Sequence, residues 1–164
     1  MIDLDLISNI GKNAKSASRE LAKLSTRKKN SILESMAEAL ENDREFIKQE
    51  NAKDLDNGYK NGLSSSLLDR LELTDNRINS MINGIYDVIA LNDPVGEQIS
   101  AWDRPNGLHI KKVRSPIGVI CIIFESRPNV TCDAAVLCFK TSNAVILRGG
   151  KEAIFSNLAI ANSL

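Results

Sequence analysis

The chain has 164 residues, 43% apolar and 26% charged, which is one domain's worth of sequence with enough apolar side chains to build a core, and which excludes both a large multidomain enzyme and wholesale disorder. Lys plus Arg number 21 and Asp plus Glu also 21, so net charge draws the chain to neither nucleic acid nor an anionic membrane, and any anion site must be local.

The amino end, MIDLDLISNIGKNAK, carries acids early and lacks the basic start and apolar core of a secretory signal. No later apolar run approaches the roughly 20 residues of a spanning helix, which together predicts a cytoplasmic protein. Thr26 can cap a helix running to about Asn42, with Ile32, Leu33, Met36, Ala37 and Leu40 at helical spacing and charge on the opposite face. Asp43 can cap a further polar helix toward Asp56, with breaks at Asn57-Gly58 and Asn61-Gly62. Thr74 can cap the strongest helix, in which Ile78, Met81, Ile82, Ile85, Val88 and Ile89 fall at steps of three and four before Asp93-Pro94 stops the run.

Composition changes near residue 100, from Lys, Glu, Asn, Leu and Ala to Val, Ile and Gly. Residues 98–113 resemble two strands joined by the turn-forming DRPNG, a predicted hairpin. Residues 118–124 (GVICIIF) are continuously apolar and β-branched, 131–140 are helix-compatible, and 143–147 (NAVIL) are again strand-like. This β-α-β pattern suits two parallel strands buried between helix layers with a right-handed crossover, and a helical pattern follows over 151–164. A doubly wound sheet usually has five or more parallel strands, and the last helix ends in ANSL without a glycine cap. A fragment or truncated form is the expectation.

Between Arg104 and Lys151 eight cations face only two acids, Glu125 and Asp133. The strand-to-helix turn of Arg148, Gly149, Gly150 and Lys151 offers backbone N–H groups, a helix N-terminus and two cations for a phosphate group, although a glycine pair after a strand can also be only a tight turn. It is not a G-x-G-x-x-G fingerprint. The second candidate is the stretch from Glu125 to Asn129, at the carboxyl end of the first parallel strand, where open α/β sheets place their ligands. There the Asn129 amide can donate to a developing oxyanion or merely cap the following helix, Pro128 limits the backbone, and Arg127 can pair with a phosphate or carboxylate.

Cys121 lies in a buried-looking strand, and Cys132 and Cys138 lie in the crossover helix. Structural thiols are expected, with neither a disulfide framework nor a metal site. His109 stands alone on the hairpin with Lys111 and Lys112, too little for a nucleophile-histidine arrangement, and Trp102 reads as hairpin packing.

The string PIGVICIIFESRPNVTCDAAVLCFKTSNAVILRGGKEA, residues 116–153, resembles the signature region of the gamma-glutamyl phosphate reductases, also called glutamate-5-semialdehyde dehydrogenases. DRLELTDNRI, DPVGEQI and AKSASRELAKLSTRKKNSIL extend the resemblance over nearly the whole chain. It implies an α/β fold of the aldehyde dehydrogenase superfamily, incomplete here: a helical segment over 1–97, a β-hairpin over 98–115 that begins an oligomerisation region, and the first β-α-β-α part of a Rossmann-like NADPH-binding domain over 116–164. The implied activity is NADPH-dependent reduction of L-glutamyl 5-phosphate to glutamate 5-semialdehyde, a step of proline synthesis.

The resemblance further implies that Asn129 stabilises the oxyanion. It implies that Arg148, Gly149, Gly150, Lys151 and Glu152 hold the adenosine side of NADPH, with Arg148 or Lys151 at the 2′-phosphate. Arg127 becomes a substrate contact, and no metal is implied. The family's nucleophilic cysteine lies in a catalytic domain beyond residue 164, and Cys132 does not take its place, so the chain is expected to be inactive alone. The implied partner is a small acyl phosphate, with neither nucleic acid nor membrane, and with homo-oligomerisation or association through an exposed sheet edge. The competing readings are a non-catalytic interaction module or weak cofactor-binding fragment, and a relative acting on another acyl substrate.

Overall fold

The computed structural model of the chain describes residues 4–164; of the amino-terminal stretch read above, Met1, Ile2 and Asp3 lie outside the described residues. The chain opens with α1, Leu4–Leu21, in which Ile7, Ile10, Ala14, Ala17 and Leu21 recur at helical steps of three and four, and which lies along the parallel strands introduced below. α2, Thr26–Asn42, is capped one residue earlier than expected. The Ser25 hydroxyl accepts from the Lys28 N–H at 3.3 Å, whereas the Thr26 hydroxyl donates to Asp93 at 2.8 Å. Two adjacent hydroxyls can both cap, and the long-range acceptor takes the second away.

α3, Arg44–Lys60, runs straight through Asn57-Gly58, where a break was expected. Gly58 is there for close packing, since a Cβ on it would sit 2.9 Å from the Leu68 side chain. The turn comes at Gly62, with φ +72°. Asp43 precedes α3 without capping it, and its carboxylate accepts from the Ser163 hydroxyl instead. The short α4, Ser65–Leu71, leads to α5, Asp75–Ala90, where the Thr74 hydroxyl accepts from the Arg77 N–H as its sequence position predicts.

Leu33, Leu40, Ile47, Ile78, Met81 and Ile85 are buried in a core that also takes in Cys132, Val136 and Ile160 from the carboxyl-terminal third. Each such side chain contributes about 1.5 to 3 kcal/mol by leaving water. A buried polar stitch crosses the same interface. Lys29, with 0% exposure, donates to the Lys140 carbonyl and the Ser142 hydroxyl, both at 3.0 Å, and pairs with Asp93.

The described residues form two two-stranded sheets. β1, Gln98–Asp103, and β2, His109–Val113, are the antiparallel hairpin, with Trp102 opposite Ile110. β3, Val119–Ile123, and β4, Ala144–Arg148, are parallel, in register from Val119 opposite Ala144 to Ile123 opposite Arg148. The crossover between them is α6, Asn129–Lys140, and the chain closes with a 3-10 turn, Lys151–Ala153, and α7, Ile154–Ser163. The β-α-β-α order is as read from sequence.

The expectation that both strands are buried between helix layers does not hold for β3. Helices α1 and α6 lie mainly against β4, so the outer strand keeps Ile123 at 72% exposure and Cys121 exposed.

Candidate functional site

Beyond Ile123 the chain leaves β3, turns at Ser126 and enters α6 at Asn129. Ser126 is a non-glycine residue at φ +49°, a left-handed conformation that needs outside support. Glu152 supplies it from the far side of β4: one carboxylate oxygen accepts from the Ser126 N–H at 2.7 Å and from its hydroxyl at 2.9 Å. Gly150 leaves room for this reach, because a Cβ there would collide with the Glu152 carboxylate. Burial alone would raise the Glu152 carboxyl, but the hydrogen bonds from the backbone and Ser126, with Arg148 nearby, outweigh it and hold the group below its ordinary value of 4.5.

The two uses open to Asn129 separate on geometry. Pro128 occupies the N-cap position of α6 without a side-chain cap, and the Asn129 amide donates forward to Asp133 at 2.9 Å. Asn129 therefore caps nothing. Burial pushes the Asp133 carboxyl up, and the Asn129 bond offsets part of that rise. Asn129, Asp133 and Arg127 line a cavity of about 340 Å³ whose opposite wall comes from the end of α4 and the start of α5, with Arg70, Glu72 and Arg77. The structure thus brings Arg127 and Asn129 together. It adds residues the sequence reading passed over: Arg70 and Arg77 lie within DRLELTDNRI, a string noted only for its resemblance, and two arginines seven positions apart on either side of a helix cap were a signal that could have been used.

The second candidate region divides. Arg148 and Lys151 are exposed at the carboxyl end of β4, and Lys151 lines a cavity of about 520 Å³ with Asn57 and Asn61 of the α3 end. Glu152 lines the same cavity, and one of its carboxylate oxygens is held by Ser126. The helix N-terminus expected to cradle a phosphate is already used, since the buried Asp54 carboxylate accepts from the Ser156 N–H at 2.7 Å, the Ser156 hydroxyl at 2.6 Å and the Phe155 N–H at 3.3 Å. Asp54 neutralises the positive end of α7 from within the protein. Beneath Gly149, where a Cβ would collide with the Asn157 amide, the Asn157 Nδ2 is buried without a partner among the described residues. For a phosphate-bearing dinucleotide the two cationic side chains fit, whereas the Phe155 and Ser156 N–H groups of α7 are already taken by Asp54.

Neither buried thiol is poised for attack. Cys132 has 0% exposure, and burial, with the neighbouring charge of Asp133 adding to it, pushes its thiol up to about 12. Burial also raises Cys138, and Cys121, expected to be buried, is exposed on β3. His109 pairs with Asp103 on the exposed hairpin. Among the described residues no group of three or more His, Cys, Asp or Glu is placed to hold a metal, and no helix is long and apolar enough to cross a membrane.

No protein-family model matches the chain. The gamma-glutamyl phosphate reductase of Geotalea daltonii is 55% identical to it over 158 residues, covering 96% of this chain and 38% of that protein. The crystal structure of the gamma-glutamyl phosphate reductase of Thermotoga maritima superposes with a TM-score of 0.91 at 44% identity, covering 93% of this chain and 37% of that one. A probable aldehyde dehydrogenase from Listeria monocytogenes shares the fold alone, with a TM-score of 0.66 at 15% identity over 98% of this chain and 33% of that one. The chain therefore spans about two fifths of the length of the curated relatives it matches. Sequence and fold together make it a homologue of part of the gamma-glutamyl phosphate reductases, with the architecture of the corresponding part of an aldehyde dehydrogenase-like chain.

Proposed function

We propose that this chain supplies the oxyanion side and part of the cofactor side of an NADPH-dependent reductase that converts L-glutamyl 5-phosphate to L-glutamate 5-semialdehyde and phosphate in proline synthesis. The observation that carries the reading is Asn129, held by Asp133 at the rim of a cavity it shares with Arg127, within a chain 55% identical to an enzyme of that name. In this reading the Asn129 amide donates to the acyl oxygen as it gains charge, and Arg127 neutralises the phosphate of the acyl group. Arg148 or Lys151 meets the 2′-phosphate of NADPH, which supplies the hydride, and Glu152, at the same cavity as Lys151, also holds Ser126 in place.

The nucleophilic thiol lies outside these residues, because the buried and protonated Cys132 does not serve. The division into 1–97, 98–115 and 116–164, a cytoplasmic location in keeping with three free thiols, and association through the hairpin or sheet edge belong to the same proposal. The test is the reverse reaction, with glutamate 5-semialdehyde, NADP and phosphate, run on the chain alone and after adding the carboxyl-terminal portion of a relative. No turnover alone and turnover on mixing is the expected result. Two folded partners that stay inactive together overturn the proposal, and NADPH binding in that mixture then leaves a non-catalytic cofactor-binding role.

A further inference from the structure

We propose that the cavity between the end of α4, the start of α5 and the start of α6 selects the amino-acid end of its ligand, with Arg70 binding an α-carboxylate and Glu72 an α-ammonium group. The proposal rests on the acyl-phosphate reading of Asn129 and Arg127, and it adds the residues that recognise the other end of the same molecule.

The cavity, at about 340 Å³, is in the range that encloses a small metabolite. Its wall carries three guanidinium groups, Arg70, Arg77 and Arg127, and three carboxyl groups, Asp69, Glu72 and Asp133. Half of these are committed to the protein. Arg77 donates to the Asp69 carboxylate at 3.0 Å and to the Glu72 carbonyl at 2.8 Å, which ties the α4–α5 corner together. Asp133 accepts from Asn129. The side chains of Arg70, Glu72 and Arg127 make no hydrogen bond or ion pair among the described residues, although each stands at the cavity wall.

The uncommitted charges are therefore one cation and one anion at the α4 end and one cation beside Asn129. A simple anion such as inorganic phosphate pairs with one of the two cations and leaves Glu72 without a counter-charge. A molecule with a carboxylate and an ammonium on one carbon and a second anion further along its chain satisfies all three, and places its distal carbonyl at the Asn129 amide. That is the charge pattern of an acidic α-amino acid activated at its side chain. Guanidinium and carboxylate groups at a partly enclosed wall recognise such a pattern by charge-assisted hydrogen bonds.

The experiment is calorimetric titration of the purified 164-residue chain with L-glutamate, and with glutarate, which lacks the ammonium group, with NADPH titrated into the same samples. L-glutamate should bind more tightly than glutarate. Arg70→Ala should weaken both by roughly tenfold to a hundredfold, the loss expected of one charge-assisted bond. Glu72→Gln should weaken L-glutamate alone, and neither variant should change NADPH binding. Glutarate binding as tightly as L-glutamate, either variant leaving L-glutamate affinity unchanged, or L-glutamate failing to bind overturns the proposal whatever NADPH does. Binding that depends on Arg70 and Glu72, found beside failed reconstitution of reductase activity, upholds the amino-acid site and removes the reductase reading.

Discussion

At Asn129 the amide carries two N–H groups, and the Asp133 carboxylate takes one at 2.9 Å, which fixes the plane in which the other points. In an enzyme reconstituted with the carboxyl-terminal portion of a relative, Asn129→Ala should lower turnover on the order of a hundredfold to a thousandfold, as loss of one oxyanion donor does. Asp133→Ala should lower it less, because the amide remains but is no longer held, and Asp133→Asn should restore most of the rate, since its side-chain oxygen still accepts. Equal rates for Asp133→Ala and the unsubstituted protein would remove Asp133 as a positioning residue. A second residue-scale expectation concerns Asp93. Burial raises its carboxyl, but bonds from Lys29, the Val95 N–H and Thr26 outweigh that and leave it below its ordinary 3.8. A carboxyl lowered by folding contributes stability that is complete above the ordinary aspartate range and is lost as pH falls through the folded value. Asp93→Asn should therefore cost on the order of 3 kcal/mol near pH 7, where it leaves the buried Lys29 without its counter-charge, and should flatten the acid side of the stability profile. Urea midpoints at pH 7 and pH 3 measure both effects.

Helix α7 depends on a partner that its own sequence does not contain. Its first turn has no side-chain cap of its own, and Asp54, about a hundred positions earlier, accepts from two of its N–H groups and from the Ser156 hydroxyl. Asp54→Ala should destabilise the fold by about 2 kcal/mol or more, the cost of a lost cap plus an orphaned buried donor, and should loosen α7 first, seen as lost amide-exchange protection at Phe155 and Ser156. The elements that sequence made legible share a local signal. The Thr74 cap with its periodic apolar run, the hairpin around DRPNG and the β-α-β order each follow from residues within a few positions of one another. Those it missed depend on distance. Asp54 sits in a polar helix and reads as solvated, Gly58 reads as a helix breaker until Leu68 is seen against it, and the Glu152 support of Ser126 joins residues 26 positions apart. The pairing of Arg127 with Asn129 was legible because both lie on one loop, whereas Arg70 reaches the same cavity only through packing of α5 on α6.

The molecule as a whole carries more apolar surface than its own elements cover. Ile117 is 81% exposed beside β3, Ile123 is exposed at its end, and Ile99, Trp102, Leu108 and Val113 are exposed along a hairpin that packs on little but itself. A two-stranded ribbon is marginal in water, and a parallel pair with open edges is a template for further strands. Both features sit in a chain that spans 38% of a homologous enzyme. The purified protein should therefore self-associate with rising concentration, and sedimentation equilibrium should return a weight that climbs across the micromolar range. Ile123→Lys should lower that weight by placing a charge at the exposed end of β3, while leaving the helical core melt unchanged, because Ile123 lies outside the cluster of Leu33, Ile78 and Ile85. If association instead runs through the hairpin, Trp102→Lys lowers the weight and Ile123→Lys does not, since the two apolar surfaces lie on separate sheets. A concentration-independent monomer that melts cooperatively would mean that these strands are stable with their edges open, and that the exposed isoleucines have no partner to find.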